Sequence, residues 1–186
     1  MDEQTDEQLA AIAQKGNVQA FGKLVQRYES AMQRYARRFL FSLTDVDDMV
    51  QDIFLKAFQN LQSFDTRRRF SPWLYRIAHN HFLNVIRKRS HEPLPFFDPD
   101  ALLPHPVAPD NPERDRQDVE LQRAIATCLD KLSPVLRETV VLALIEELPH
   151  ADISEILHIP IGTVDVRLSR AKVKLRHLCH HLADHL

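Results

Sequence analysis

Five residues in one stretch have the chemistry to handle nucleic acid. Trp73, Arg76, Asn80, Asn84 and Arg87 recur at helical spacing, so they share one stripe of a helix. Asparagine competes with the backbone for hydrogen bonds and is a poor helix-interior residue, so two on one face indicate a use beyond folding. Carboxamides hydrogen-bond base edges, aromatic rings stack on unpaired bases, and guanidinium groups hold phosphates. The segment just before, Asp65-Thr66-Arg67-Arg68-Arg69-Phe70, concentrates positive charge beside an aromatic ring. Trp73 has a second reading as a core residue, and the two roles can coexist.

Other chemistry is harder to assemble. His177, His181 and His185 stand at i, i+4 and i+8, with Cys179 and His180 beside them. Two histidines four apart on one helical face can bind zinc or nickel. No carboxylate completes a HExxH site, and a polar last turn at the favourable end of the helix dipole accounts for these histidines. Neither a phosphate-binding glycine loop nor a nucleophile elbow occurs. The expectation is a protein that is not an enzyme, with no catalytic residues, no cofactor and no metal. Cys128 and Cys179 permit at most one disulfide, and two reduced thiols in a cytosolic chain are the simpler reading.

The elements that must carry these residues are helical. Only three glycines occur, and no stretch alternates with period two. Val18, Phe21, Val25, Tyr28, Met32, Tyr35 and Phe39 step by three and four along one long helix. Val46, Met49, Val50, Ile53, Phe54, Ala57, Phe58 and Leu61 draw a second, started by Thr44 and acidic first-turn residues. Ser71-Pro72 and Ser133-Pro134 each pair a capping hydroxyl with proline at a helix start. Thr5 with Gln8 forms a capping-box pattern for a short leading helix near Thr5–Lys15.

At 186 residues the chain suits one or two small domains, and 44% apolar with 27% charged residues excludes disorder throughout. Residues 1–89 hold fourteen Lys/Arg against ten Asp/Glu, a balance of +4, whereas residues 90–118 hold two against seven, a balance of −5. Seven of the eleven prolines fall between Pro93 and Pro112, which marks 90–115 as an extended, semi-rigid linker. Fully extended, its length reaches roughly 80 Å at ~3.1 Å per residue. The longest apolar run, Val140 to Ile145, is too short to cross a bilayer, and no signal segment opens the chain. A cytoplasmic protein without membrane insertion of its own is expected.

Beyond the linker, helical patterns cover 116–130, 134–147, 150–157 and 162–182. A short helix, the break His158-Ile159-Pro160-Ile161-Gly162 and a long helix make a helix-turn-helix. Ile153, Ile156, Leu157, Val164, Leu168, Ala171 and Leu175 would pack inward. Asp165, Val166, Arg167, Ser169, Arg170, Lys172 and Lys174 would face out, with four cations suited to lie between phosphate backbones.

Three segments, in order and spacing, closely resemble the extracytoplasmic-function sigma factors of the bacterial primary-sigma family. They are Asp45 to Phe58; Phe64-Asp65 with Phe70 to Asn80; and Leu132-Ser133-Pro134 with Ile159 to Val164 and Arg167 to Ala171. The resemblance covers roughly residues 17–89 and 116–181. It implies an all-α, two-domain fold: a region 2 bundle over 1–89, the linker over 90–115 and a region 4 helix-turn-helix over 116–186. It further implies that Asp48, Gln51, Asp52, Phe54 and Phe58 dock on the β′ clamp helices of core RNA polymerase, and that region 4 meets the β flap. By the same resemblance the arginine loop captures a base flipped from the minus-ten element, with Phe64 and Asn80 in its pocket. Arg67, Arg68, Arg69, Phe70, Trp73 and Arg76 surround that site, and Asn84, Arg87 and Lys88 face the upstream duplex. Asp165, Val166, Ser169 and Arg170 would read the minus-thirty-five element, flanked by Thr163, Arg167, Lys172 and Lys174.

Asp165 departs from a family position that is often basic. A carboxylate there repels phosphate, or accepts from a cytosine amino group. The resemblance also implies promoter DNA and an anti-sigma protein as partners, a signal-controlled set of genes, and a linker that threads toward the polymerase active site. Two alternatives stay open. A stand-alone helix-turn-helix regulator would leave the acidic helix and the Trp73–Asn80 stripe idle, and an interaction protein or metal-dependent enzyme would rest on the histidine cluster alone.

Overall fold

A computed structural model describes residues 4–39, 46–89 and 127–179. Among the described residues the regular elements are all helical, joined by turns and short extended links. Helix α1 (Asp6–Gln14) starts on the expected capping box, in which Thr5 accepts from the Gln8 backbone and Gln8 accepts from the Thr5 backbone. It ends at Gly16, whose φ of 96° is left-handed, and Asn17 then caps α2 (Val18–Phe39) through the Ala20 N–H. Asp6 accepts from Arg27 at 2.6 Å and from the Tyr28 hydroxyl at 2.5 Å, locking α1 to α2.

Helix α3 (Val46–Asn60) runs into a 3-10 turn, Leu61–Ser63, and α4 spans Phe70–Arg89. Its start corrects the Ser71-Pro72 expectation. The helix begins at Phe70, and its first N–H, which has no partner within the helix, donates to Glu7 of α1 at 3.1 Å, so a distant carboxylate supplies the cap. Val18 also departs from its stripe, since it is exposed at the first turn of α2. Thr44, most of the 116–130 pattern, the linker and His180, His181 and His185 lie outside the described residues.

In the second half, residues 127–130 are helical, then α5 (Pro134–Val140) continues into a π-helical stretch, Val141–Ile145. Ser133 precedes α5, but its side chain makes no capping bond. The buried Arg137 guanidinium instead binds the carbonyls of Leu129, Asp130 and Leu132, gathering the carbonyl end of 127–130. Helix α6 (His150–Leu157) ends at His158 in the left-handed conformation, and α7 covers Ile161–Leu178. Ile153, Ile156, Leu157, Val164 and Ala171 are buried as expected, and Leu168 and Leu175 pack beside them. Buried apolar side chains of both halves form one contiguous cluster.

The two cysteines correct another expectation. A disulfide joins Cys128 to Cys179, because the end of α7 returns beside residues 127–130.

Candidate nucleic-acid interface

The arginine loop is fastened from below. Gln14 donates to the carbonyls of Leu61 and Phe64, both at 2.8 Å, and Glu7 holds the Phe70 N–H. Phe64, Phe70 and Trp73 form a triangle of rings with centroids 5.0–5.5 Å apart. These rings carry the loop and do not rise above it: Phe70 is 1% exposed, Phe64 5% and Trp73 9%. Phe70 is therefore not placed to stack on a base, and burial against Tyr28 and Phe64 is the reason.

Above the triangle lies an open cavity of about 590 Å³, with Phe64 and Trp73 at its base and Arg67, Arg68, Arg69 and Arg76 around it. Arg67 grips Asp65 with two side-chain bonds of 2.9 Å, and those bonds hold the Asp65 carboxyl down at about 2. Arg68, Arg69 and Arg76 line the cavity and bond to Asp152 and Glu155 of the second module. Asn80 and Asn84 are exposed farther along α4, outside the lining, so Asn80 does not join Phe64 there. Four residues of helix separate it from Arg76, ~6 Å of rise. The side chains of Arg87 and Lys88 lie outside the described set.

The acidic helix α3 borders a groove of about 580 Å³ against α2. Asp48, Gln51 and Asp52 are exposed, and Phe58 is 43% exposed while packing edge-on to Phe21. Phe54 sits buried beneath the groove, so it supports that surface instead of forming its margin. Val18 and Leu55 supply exposed apolar area that the sequence pattern did not single out. Lys56 donates to His81 Nδ1, and Asp52 stands 3.7 Å from His81 Nε2, tying this face to α4.

On α7, Asp165, Val166, Ser169, Arg170, Lys172 and Lys174 are exposed, while Thr163 is half-buried. Arg167 is also half-buried. Burial pushes its guanidinium down while the Glu138 charge opposes that shift, so it is less open to solvent than Arg170. Asp165 accepts from His150 Nδ1 at 2.7 Å.

Contacts between the two halves were absent from the sequence expectations. Helix α6 lies against α4, where Glu155 accepts from Arg68 at 3.3 Å and Arg76 at 3.4 Å, and Asp152 pairs with Arg69. Burial pushes the Asp152 carboxyl up, against the opposing Arg69 charge. Beneath these pairs Glu138 accepts from Tyr35 and His79, and Glu146 accepts from Tyr75 at 2.6 Å and Arg34 at 3.1 Å. The acidic pair Asp152 and Glu155, spaced three apart on a helix, was the one available signal.

Two family models match the chain: Sigma-70 region 2 over residues 24–92 and Sigma-70, region 4 over residues 122–175. The chain is 34% identical to the ECF RNA polymerase sigma factor SigW of Bacillus subtilis, over 87% of this chain and 90% of that protein. It is 37% identical to the RNA polymerase sigma factor CnrH of Cupriavidus metallidurans, over 93% of each. Among solved structures, CnrH in complex with the cytosolic domain of CnrY matches with a TM-score of 0.72 at 33% identity, covering 96% of this chain and 99% of that one. RpoE in complex with the anti-sigma factor NepR from Bartonella quintana matches at 0.71 and 26% identity, over 85% of this chain and 95% of that one. The all-α fold, the two matched regions and these relatives agree: the chain belongs to the extracytoplasmic-function sigma factors, which are transcription initiation factors and not enzymes.

Proposed function

We propose that this protein binds core RNA polymerase, recognises the minus-ten and minus-thirty-five promoter elements and starts transcription of a signal-responsive set of genes. The observation that carries this is that the first module bears a docking groove and also supplies the aromatic floor and four arginines of a nucleotide-sized cavity. An apolar groove edged by Glu29, Asp47 and Gln51, with Asp48 and Asp52 also exposed on α3, suits a basic partner such as the β′ clamp helices. A cavity floored by Phe64 and Trp73 and ringed by four arginines of that module, with Asp152 and Glu155 of the second module closing its edge, suits a nucleotide flipped from the minus-ten strand. Arg67, Arg68, Arg69 and Arg76 serve phosphates there, and Asn80, Asn84, Arg87 and Lys88 continue the track along α4.

The second module reads duplex DNA through Asp165, Val166, Ser169 and Arg170, with Lys172 and Lys174 on phosphates, and meets the β flap. The units are 1–89, 90–115 and 116–186. The acidic stretch between the modules enters a polymerase channel built for RNA, consistent with its charge. The protein works in the cytoplasm. Relatives solved with CnrY and NepR support an anti-sigma partner for this chain as well.

Two variant sets test the assignment in reconstituted holoenzyme. Replacing Asp48 and Asp52 with lysine should abolish co-elution with core polymerase. Arg76→Ala with Trp73→Ala should preserve co-elution yet lose permanganate-reactive thymines in the minus-ten region. Normal promoter opening in the second set would contradict the assignment of the cavity.

A further inference from the structure

The duplex-reading helix presents a carboxylate where phosphates crowd in. Asp165 is exposed on α7, one turn before Ser169 and beside Val166. Left alone, that charge would be repelled by both backbones of a groove. It is not left alone. His150, the first residue of α6, places Nδ1 2.7 Å from Asp165 Oδ1. A carboxylate only accepts, so Nδ1 carries the proton and donates. Among the described residues Oδ2 has no hydrogen-bond partner, so an acceptor held by one oxygen offers the other.

We propose that Asp165, positioned by His150, reads a cytosine of the upstream promoter element through its exocyclic amino group. This rests on the reading of α7 as the duplex-reading helix. Cytosine presents an amino donor and no acceptor in the major groove. Adenine sets its amino group beside N7, whose lone pair opposes a carboxylate. Guanine offers N7 and O6 acceptors, and thymine offers O4 and a methyl group, so both reject Asp165. Arg170, also exposed on α7, has the reverse preference and suits guanine. The two residues therefore read different positions by opposite chemistry. His150 is a positioning residue: its hydrogen bond limits the carboxylate's rotamers and spreads its charge.

The test uses the full chain with core polymerase and a pool of promoters randomised across the upstream element, with transcripts sequenced. The wild type should enrich cytosine at one position by about fivefold, the lower end of the range for a good bidentate base contact, since one oxygen accepts from one amino group. Asp165→Ala should erase that preference and leave the other positions unchanged. His150→Ala should weaken the same preference severalfold, and His150→Asn, whose amide can donate in place of Nδ1, should restore most of it. An unchanged base profile in Asp165→Ala would overturn the inference alone, as would dependence on a base other than cytosine. If the wild type gave no promoter-specific transcript, the initiation-factor reading would fall and this inference with it.

Discussion

The Tyr35 hydroxyl donates to Glu138 Oε1 at 2.6 Å, joining α2 of the first module to α5 of the second. His79 Nδ1 donates to the same oxygen, also at 2.6 Å. All three side chains are buried, and burial followed by the Glu138 charge pushes the Tyr35 phenol well above its usual range. Glu138→Ala removes the buried carboxylate that these two bonds share and should cost about 3–5 kcal/mol. Tyr35→Phe leaves the His79 bond and should cost about 1.5–3 kcal/mol. Urea denaturation followed by circular dichroism measures both, and a wild-type midpoint for Glu138→Ala would remove Glu138 as the joint between modules.

Arg68, Arg69 and Arg76 hold Asp152 and Glu155 at the mouth of the cavity proposed for the flipped base. Phosphate must displace those carboxylates. Exposed pairs contribute ~0.2–1 kcal/mol each. The double variant Asp152→Asn, Glu155→Gln should therefore bind a single-stranded promoter oligonucleotide about two- to tenfold more tightly as free factor. Fluorescence anisotropy reads the change, which should shrink as salt screens the charges. Equal or weaker binding would show that the carboxylates do not compete.

Asp65 sets a pH signature for the loop. Its carboxyl lies at about 2, below the ordinary 3.8, through the Arg67 hydrogen bonds first. A depressed carboxyl stabilises the folded loop above 3.8, and that contribution is lost as pH falls through about 2. Carboxyl NMR should find the low midpoint, and Arg67→Gln should raise it toward 3.8. A midpoint indifferent to Arg67→Gln would show that the grip is absent in solution.

The Cys128–Cys179 disulfide closes a span of 51 residues. By loop-closure entropy, its reduction should remove about 4 kcal/mol from the second module. Thermal melting with and without dithiothreitol should therefore differ, and Cys128→Ser with Cys179→Ser should melt like the reduced protein under both conditions. Identical melting of the wild type in both buffers would contradict this.

Local rules were the legible part of this chain. The Thr5–Gln8 capping box, the α3 stripe and the inward set Ile153, Ile156, Val164 and Ala171 all follow from short-range hydrogen bonding and helical period. Long-range partners were not legible. Nothing near Phe70 indicates that Glu7 would cap its helix, and nothing near Tyr35 indicates that Glu138 would accept its hydroxyl. The cysteines, read as separate thiols, meet only because α7 returns to residues 127–130. In the site, residue types pointed correctly to a cation-rich aromatic patch, but periodicity alone could not distinguish rings that floor a cavity from rings that face it. Phe64, Phe70 and Trp73 lie inward because they pack on one another.

Run-off transcription with the full chain and purified core polymerase tests the proposed function most directly. The expected result is a transcript that starts at one promoter, requires both promoter elements and disappears with Arg76→Ala and Trp73→Ala. Tight binding of the chain to duplex DNA with no promoter-specific transcript would contradict it and favour a stand-alone helix-turn-helix regulator.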